Sequence, residues 1–395
     1  MSRPFEGIRV IDITHVLAGP HATYQLALLG ADVIKVERPG DPDQSREQGP
    51  DTEANKEWMG TGFLSQGSNK RSITLDLKTP QGQEILKKLV KDADVLVENY
   101  RSGALRALGL GYDDLIKIKP DLVYCSMTAW GQDGPRGSQT AYDQVIQGYS
   151  GVMSITGTED SGPVRCGPQV LDFGTGITGA FTIASALFHR ERTGEGQHID
   201  LCLTDTAFIM MGSQITASLR VGKELGPQTT GRGRPSHSRY QTKDKAIMVG
   251  ANNSREHTRL YEALDRPDLG NKTYEERAAQ RDEEAAFLSE TFKTKTAQEW
   301  EDYLQSKHVP AARQRTVAEA INDPQVKHRG VFYDHKEVPG IKGPCTVPMS
   351  AFKFKKDGPR IDTPPPRMGQ HNEDVLSELG YSETEINVLK QEGVI

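Results

Sequence analysis

Residues 8–38 read IRVIDITHVLAGPHATYQLALLGADVIKVER, and the way its apolar positions recur decides the fold class. Residues 8–12 (IRVID) have the pattern of a buried strand. Residues 21–29 (HATYQLALL) read as a helix closed by Gly30, and residues 32–37 (DVIKVE) form a second short apolar run. The alternation continues outward. Beyond an irregular polar stretch, residues 72–77 (SITLDL) read as a strand; Thr79 and Pro80 then supply an N-cap and a first-turn proline for a helix through Ile85, Leu86, Leu89 and Val90. Residues 95–98 (VLVE) and 122–126 (LVYCS) extend the series. Strands separated by helices predict an α/β fold, a doubly wound parallel sheet covered on both faces.

The middle of the chain changes character. A helix over residues 174–190 is rich in small residues, among them Gly174, Gly176, Gly179 and Ala180, and it ends at Arg192-Thr193-Gly194. Each glycine inside a helix costs about 1 kcal/mol against alanine, so several together predict close approach of another backbone or a ligand. A long apolar helix is expected over 204–220, and residues 224–238 have a linker's glycines, prolines and charges. Amphipathic helices around 256–264, 282–293 and 297–306 then predict a smaller α+β unit. The chain divides at this level into a large domain over 1–224, its linker starting near 204, a small domain over 225–325, and a proline-rich segment over 326–395 with a last helix at 373–379.

With 48 basic and 54 acidic residues in 395, the net charge of −6 gives no support for broad nucleic-acid binding, while leaving room for a local basic pocket. The four cysteines, Cys125, Cys166, Cys202 and Cys345, form no CxxC pair and read as reduced thiols rather than a disulfide frame or a metal site. No uncharged apolar stretch approaches the roughly 20 residues of a membrane span, and the first residues lack a signal-peptide pattern. A soluble cytoplasmic protein, with neither membrane nor nucleic acid as partner, is therefore expected.

Ligands of open parallel sheets bind beyond the carboxyl ends of the strands. The residues following those strands are Thr14 to Pro20, Glu37 and Arg38, Lys78, and Asn99, Tyr100 and Arg101. Together they make a rim suited to a phosphate-bearing ligand. Familiar nucleotide signatures are missing: the first strand-to-helix turn has a lone Gly19-Pro20 instead of GxGxxG, and no GxxxxGK[ST] occurs. Nor is there a GxSxG elbow or an HExxH helix. Asp172, in VLDFGTG (170–176), is left as the candidate for chemistry. One reading makes it a helix N-cap. The other makes it a nucleophile whose anionic intermediates are stabilised by helix N-terminal amides, with Gly174 and Gly176 letting substrate approach the main chain.

Ordered blocks along the chain carry a resemblance: GIRVID (7–12), His15 to Pro20, GADVIKVERPG (30–40), NKRSI (69–73), VENYR (97–101), AYD (141–143), Asp172 with Thr175-Gly176, RTGEGQ (192–197) and MGQH (368–371). In these the sequence resembles the family III CoA-transferases of CaiB/BaiF type, which include formyl-CoA transferases. The resemblance implies a Rossmann-like domain built from both chain ends, a small inserted domain, and an interlocked, chain-link homodimer. It implies acyl-CoA and carboxylic acids as substrates, with no metal and no tightly bound cofactor. Asp172 falls on the catalytic aspartate, which forms a mixed anhydride and then an aspartyl-CoA thioester. His15, Leu17, Ala18, Arg38, Leu75, Lys78, Asn99, Tyr100 and Arg101 fall on the CoA side; Leu17, Tyr142 and Gly174 fall at the acyl group.

Two departures from oxalate-handling members are visible. Leu17 stands in place of a glutamine, and Gly231-Arg232-Gly233 in place of a longer glycine lid. Leu17 is similar instead to members acting on succinyl-CoA and dicarboxylic acids, for which Arg165 would pair with the second carboxylate. Acyl-CoA racemases share the fold and need a histidine where Tyr142 stands. A CoA-binding protein without turnover is the remaining alternative, and the intact aspartate argues against it.

Overall fold

The computed structural model describes residues 3–158, 161–227 and 234–395. The chain forms two compact units, the first from Met1–Ser150, Cys166–Thr216 and Arg329–Ile395, the second from Gly151–Arg165 and Ala217–His328.

In the first unit, β1 (Arg9–Ile13) leads into α1 (Ala18–Leu28) and β2 (Asp32–Glu37); β3 (Lys70–Thr74), α2 (Pro80–Lys91), β4 (Val95–Glu98) and β5 (Val123–Thr128) follow. Next come α3 (Asp143–Ser150), α4 (Val170–Thr193), β6 (Gln197–Cys202) and α5 (Leu203–Met210). The six strands form one parallel sheet in the order β3-β2-β1-β4-β5-β6. The period of two explains the layers. Ile11, Ile34 and Leu96 face a core with Leu86 and Leu89 of α2, while Val10, Val33 and Val95 face one with Leu26 of α1 and Ile183 of α4. Thr79 caps α2 by accepting from the Gly82 N–H at 3.0 Å, with Pro80 in the first turn.

Several boundaries differ from the sequence expectation, each for a local reason. The strand expected over 72–77 lies at Lys70–Thr74, in register with β2 from Val33↔Lys70 to Glu37↔Thr74. A buried lysine opens it, and that residue type conceals a strand. The helix expected over 204–220 is broken at Met211 into α5 and Gly212–Val221. β6 has no apolar run because, at the sheet edge, it pairs only with β5. α4 begins at Val170 and spans 24 residues, long and apolar enough to cross a membrane by length and composition alone, although it carries Asp172 in its first turn and Arg190 and Arg192 in its last. One of its faces is packed: Leu171, Gly176, Gly179, Ile183 and Leu187 are buried.

The outer edge of β3 is covered by residues almost 300 positions later. The Ser72 N–H donates to His371 Nδ1 at 3.0 Å and the Thr74 N–H to Asn372 Oδ1 at 2.8 Å.

The second unit has a three-stranded antiparallel sheet of Arg239–Gln241, Ala246–Val249 and Ala311–Arg313. Its helices Ser254–Ala263 and Ala297–Ser306 start with capping boxes, Asn253 with Glu256 and Thr296 with Glu299. Tyr240, Ile247, Leu260, Leu288, Phe292 and Trp300 form its core. Gly151–Arg165, which the sequence reading placed in the large domain, belongs to this unit. A short 3₁₀ turn and the two-residue strands Gly157–Thr158 and Gly162–Pro163 build it, and neither leaves a periodic signature. The Gly231-Arg232-Gly233 segment lies outside the described residues.

Candidate active site

β1 and β4 are neighbours at the point where the strand order reverses, the usual ligand position of an open parallel sheet. Their following loops are tied together. Asn99 Oδ1 accepts from the His15 N–H at 2.9 Å, and Asn99 Nδ2 donates to the His15 carbonyl at 2.8 Å.

Beneath these loops lie three buried ion pairs: Lys70–Asp12 at 2.9 Å, Lys35–Asp43 at 2.9 Å and Arg46–Glu37 at 2.7 Å. Burial by itself raises the Asp12 carboxyl, but Lys70 and Lys35 outweigh it and hold the group well below the usual carboxylate range. The same competition, won chiefly by Lys35, holds Asp43 down. Glu37 thus serves Arg46 in the interior instead of forming part of the ligand rim beside Arg38.

The network also fixes the β1–α1 loop. Lys35 Nζ donates to the Thr14 carbonyl at 2.8 Å, Asp43 Oδ1 accepts from the Val16 N–H at 2.9 Å, and Gln66 Nε2 donates to the Val16 carbonyl at 2.7 Å. Val16 is held at φ +72°, a left-handed conformation that costs an L-residue roughly 1–2 kcal/mol. Removing one member of a buried pair strands its partner, at a cost of about 3–5 kcal/mol. The loop is therefore stiff, and so is the start of α1 that follows it.

This loop borders a cavity of about 760 Å³. The structure brings His15, Leu17, Ala18, Arg38, Leu75, Lys78, Asn99, Tyr100 and Arg101 together on its wall, along with Tyr142 and Asp172. Arg38 pairs at its rim with Asp41 and Asp76, each at 3.5 Å. Sequence reasoning missed Trp130, Gln139 and Thr140, which also line it. They follow β5, and the rule that pointed to the loops after the other strands applies equally to this one.

A second cavity of about 410 Å³ is lined by Gln44, Ser45, Gln48, Ser65, Gln144, Gln169 and Phe173, together with Val16, Leu17, Tyr142 and Asp172. Among the described residues, Asp172 is the only acidic or basic side chain on this wall. Val16, Leu17, Gln44, Tyr142 and Asp172 border both cavities. Asp172 stands where they meet.

Asp172 is the third residue of α4, inside its first turn, and does not cap the helix. Asp143 does so from α3. Its Oδ2 accepts from the Leu171 N–H at 2.8 Å and from the Asp172 N–H at 3.2 Å. Burial, and then the Asp143 charge, push the Asp172 carboxyl up to about 7. At neutral pH a large share of this group is protonated, and the ionised remainder is a stronger base than an ordinary aspartate.

One expected site residue is placed elsewhere. Gly174 lines neither cavity; a Cβ there would meet Met210 Sδ at 2.9 Å, so its missing side chain seats α5 instead of a substrate. The same holds for Gly176 and Gly179, whose Cβ atoms would meet the Ala18 carbonyl oxygen at 2.8 Å and Met127 Cε at 3.0 Å. The run from Gly174 to Gly179 has the GxGxxG spacing but lies wholly within α4, so it seats helices and cradles no phosphate. Arg165 is exposed and belongs to the second unit. Among the described residues no group of three or more His, Cys, Asp or Glu side chains is placed to hold a metal ion.

Residues 5–372 match CoA-transferase family III. The chain is 37% identical over 400 residues to the human succinyl-CoA:glutarate CoA-transferase, covering all of this chain and 90% of that protein. It is 36% identical to the succinate–glutarate CoA-transferase of Agrobacterium fabrum, covering 95% and 96% of the two chains. A crystal structure of a CaiB/BaiF family protein from Brucella suis superposes with a TM-score of 0.83 at 31% identity, over 96% of this chain and all of that one. A six-stranded sheet with an acid at the meeting point of two cavities thus belongs to a chain that is a member of CoA-transferase family III, an enzyme that transfers coenzyme A.

Proposed function

We propose that this enzyme moves CoA from succinyl-CoA to a short dicarboxylic acid such as glutarate, with Asp172 as the covalent carrier. The observation that carries this reading is the position of Asp172 on the walls of both cavities. The larger cavity, with Arg38, Lys78 and Arg101 on its wall, suits the nucleotide and pantetheine arm of CoA. The smaller one suits the acyl group. Its neutral donors Gln44, Gln48, Gln144 and Gln169 fit a second carboxylate, and we assign that contact to them instead of to Arg165.

In this mechanism the Asp172 carboxylate attacks the donor thioester carbonyl. The C–S bond breaks, giving a mixed anhydride and CoA thiolate. The thiolate then attacks the aspartyl carbonyl, releasing the donor acid and leaving an aspartyl-CoA thioester. The acceptor carboxylate and the same thiolate repeat both steps in reverse, and Asp172 is regenerated. No net proton is consumed. The N–H of Ala18, which opens α1 on the wall of the larger cavity, offers a donor for the anionic intermediates, and CoA contacts remote from the reacting carbonyl help hold it in place.

We further propose that the enzyme acts as an interlocked homodimer in a reducing compartment, the cytoplasm. The first is supported by a partly apolar outer surface on α4 and α5, the second by four unpaired cysteines. Racemisation is disfavoured because Tyr142, a weak acid, stands where that chemistry needs a histidine.

Asp172→Ala and Asp172→Asn are expected to lower CoA exchange by at least a thousandfold while CoA affinity stays within a few-fold of wild type. Incubation with succinyl-CoA followed by hydroxylamine should label Asp172 alone, read by peptide mass spectrometry. Normal exchange by either variant overturns the reading.

A further inference from the structure

The carboxylate of Asp143 is fully buried, 29 positions from Asp172 in sequence, and directed at the backbone that carries it. Oδ2 takes the N–H groups of Leu171 and Asp172, and Oδ1 accepts from Gln147 Nε2. Gln147 is itself buried, and its Oε1 accepts from the Cys166 N–H at 2.9 Å. No cation pairs with Asp143 among the described residues. A second buried acid beside a candidate nucleophile therefore has only neutral partners, an arrangement that purely structural capping does not need; serine, threonine or asparagine caps a helix equally well.

We propose that Asp143 is a positioning residue for the transfer reaction, holding the turn that bears Asp172 and, by its charge, destabilising the free Asp172 carboxylate relative to its uncharged acyl forms. This rests on the reading of Asp172 as the covalent carrier. When Asp172 becomes an anhydride or thioester its charge is gone, and the repulsion from Asp143 goes with it. When the acyl group leaves, the repulsion returns. The pair thus raises the population of the covalent intermediate and the nucleophilicity of the attacking carboxylate together.

Elements packed against α4 also carry His21 and Tyr24 on α1, Tyr149 on α3, Asp205 on α5 and Cys125 on β5, whereas Tyr124 of β5 and His198 of β6 pack together on the other face of the sheet. The cavity walls add His15, Tyr100 and Tyr142, with Arg38, Asp41, Asp76, Lys78 and Arg101. None of these adds to the effect of burial on Asp172 as the Asp143 charge does.

The test is Asp143→Asn, whose amide oxygen still accepts from both backbone N–H groups and which has no charge, although its amide nitrogen replaces the acceptor of Gln147 Nε2. The acid limb of the exchange rate, which follows ionisation of Asp172, should move at least one pH unit lower. The fraction of Asp172 trapped by hydroxylamine at neutral pH should fall about tenfold, with the melting temperature within a few degrees of wild type. A folded variant with an unmoved acid limb and an unchanged trapped fraction overturns the inference. If Asp143→Asn does not fold, Asp143→Ser, which keeps an acceptor oxygen, is read in the same way. In the unmodified protein labelled with carboxyl-¹³C aspartate, one signal absent from Asp172→Asn should titrate near neutral pH; titration of that signal in the ordinary aspartate range also overturns it. Failure of wild type to label at Asp172 at all would instead overturn the underlying reading of the nucleophile.

Discussion

Val16 has a β-branched side chain in the left-handed region, clamped from both sides of its peptide by Asp43 and Gln66. Its strain lies at a wall shared by both cavities, where a rigid main chain has most effect on a bound thioester. Val16→Gly should therefore leave thermal stability unchanged or raise it by about 1 kcal/mol, while increasing the KM for acyl-CoA several-fold as the loop loosens; melting curves and steady-state kinetics check both halves. Glu98 offers a second test. Burial pushes its carboxyl up to about 7, although Ser126 and the Tyr100 N–H oppose the rise. The folded state thus holds Glu98 protonated more firmly than the unfolded chain does. Its stabilising effect is present below the unfolded value and is lost as pH rises through about 7. Glu98→Gln should reduce the fall in stability between pH 5 and 8 by roughly 1–3 kcal/mol, measured by urea melts at both pH values. At this scale Asp172 was legible in the sequence as the residue left for chemistry. Its companion Asp143 was not, because a cap supplied from another helix leaves no local spacing to read.

The helix that carries Asp172 shows how far an element can be read from its residues. Its small side chains announced a close approach, and the structure identifies what approaches: the start of α1 and the side chains of Met127 and Met210. Glycine spacing states that something is near without stating whether it is a ligand or a neighbouring helix. Gly176→Ala gains about 1 kcal/mol of helix propensity, but its new methyl would sit 2.8 Å from the Ala18 carbonyl oxygen, a backbone atom that cannot swing away. A net loss of roughly 1–3 kcal/mol is expected, read as a lowered melting temperature, together with reduced activity because Ala18 lines the larger cavity. Strands with uniform apolar runs were found where expected. β3 and β6 were displaced or missed because one opens with a buried lysine and the other lies at a sheet edge with polar residues interleaved.

Across the whole molecule, the unburied face of α4 presents Ile177, Phe181 and Phe188, and α5 presents Ile209, with Phe181 70% and Ile209 81% exposed. Apolar surface concentrated in this way marks an interaction site, and for the proposed homodimer it is the natural contact. Phe181→Asp should shift the protein to a smaller species in sedimentation velocity; an unchanged sedimentation coefficient would remove α4 from the interface. The order of strands along the sheet was foreseeable in outline, whereas the membership of Gly151–Arg165 was not, since no periodicity marks it. The late cover on β3 has a bearing on biosynthesis. Until His371 and Asn372 emerge from the ribosome, the amides of Ser72 and Thr74 lack their protein acceptors, and a nascent chain presents a strand edge to whatever it meets. Such contacts between distant parts of a polypeptide form slowly. Closure of this margin therefore waits on synthesis of a segment almost 300 positions later, and overproduction at high temperature should yield inclusion bodies seeded there.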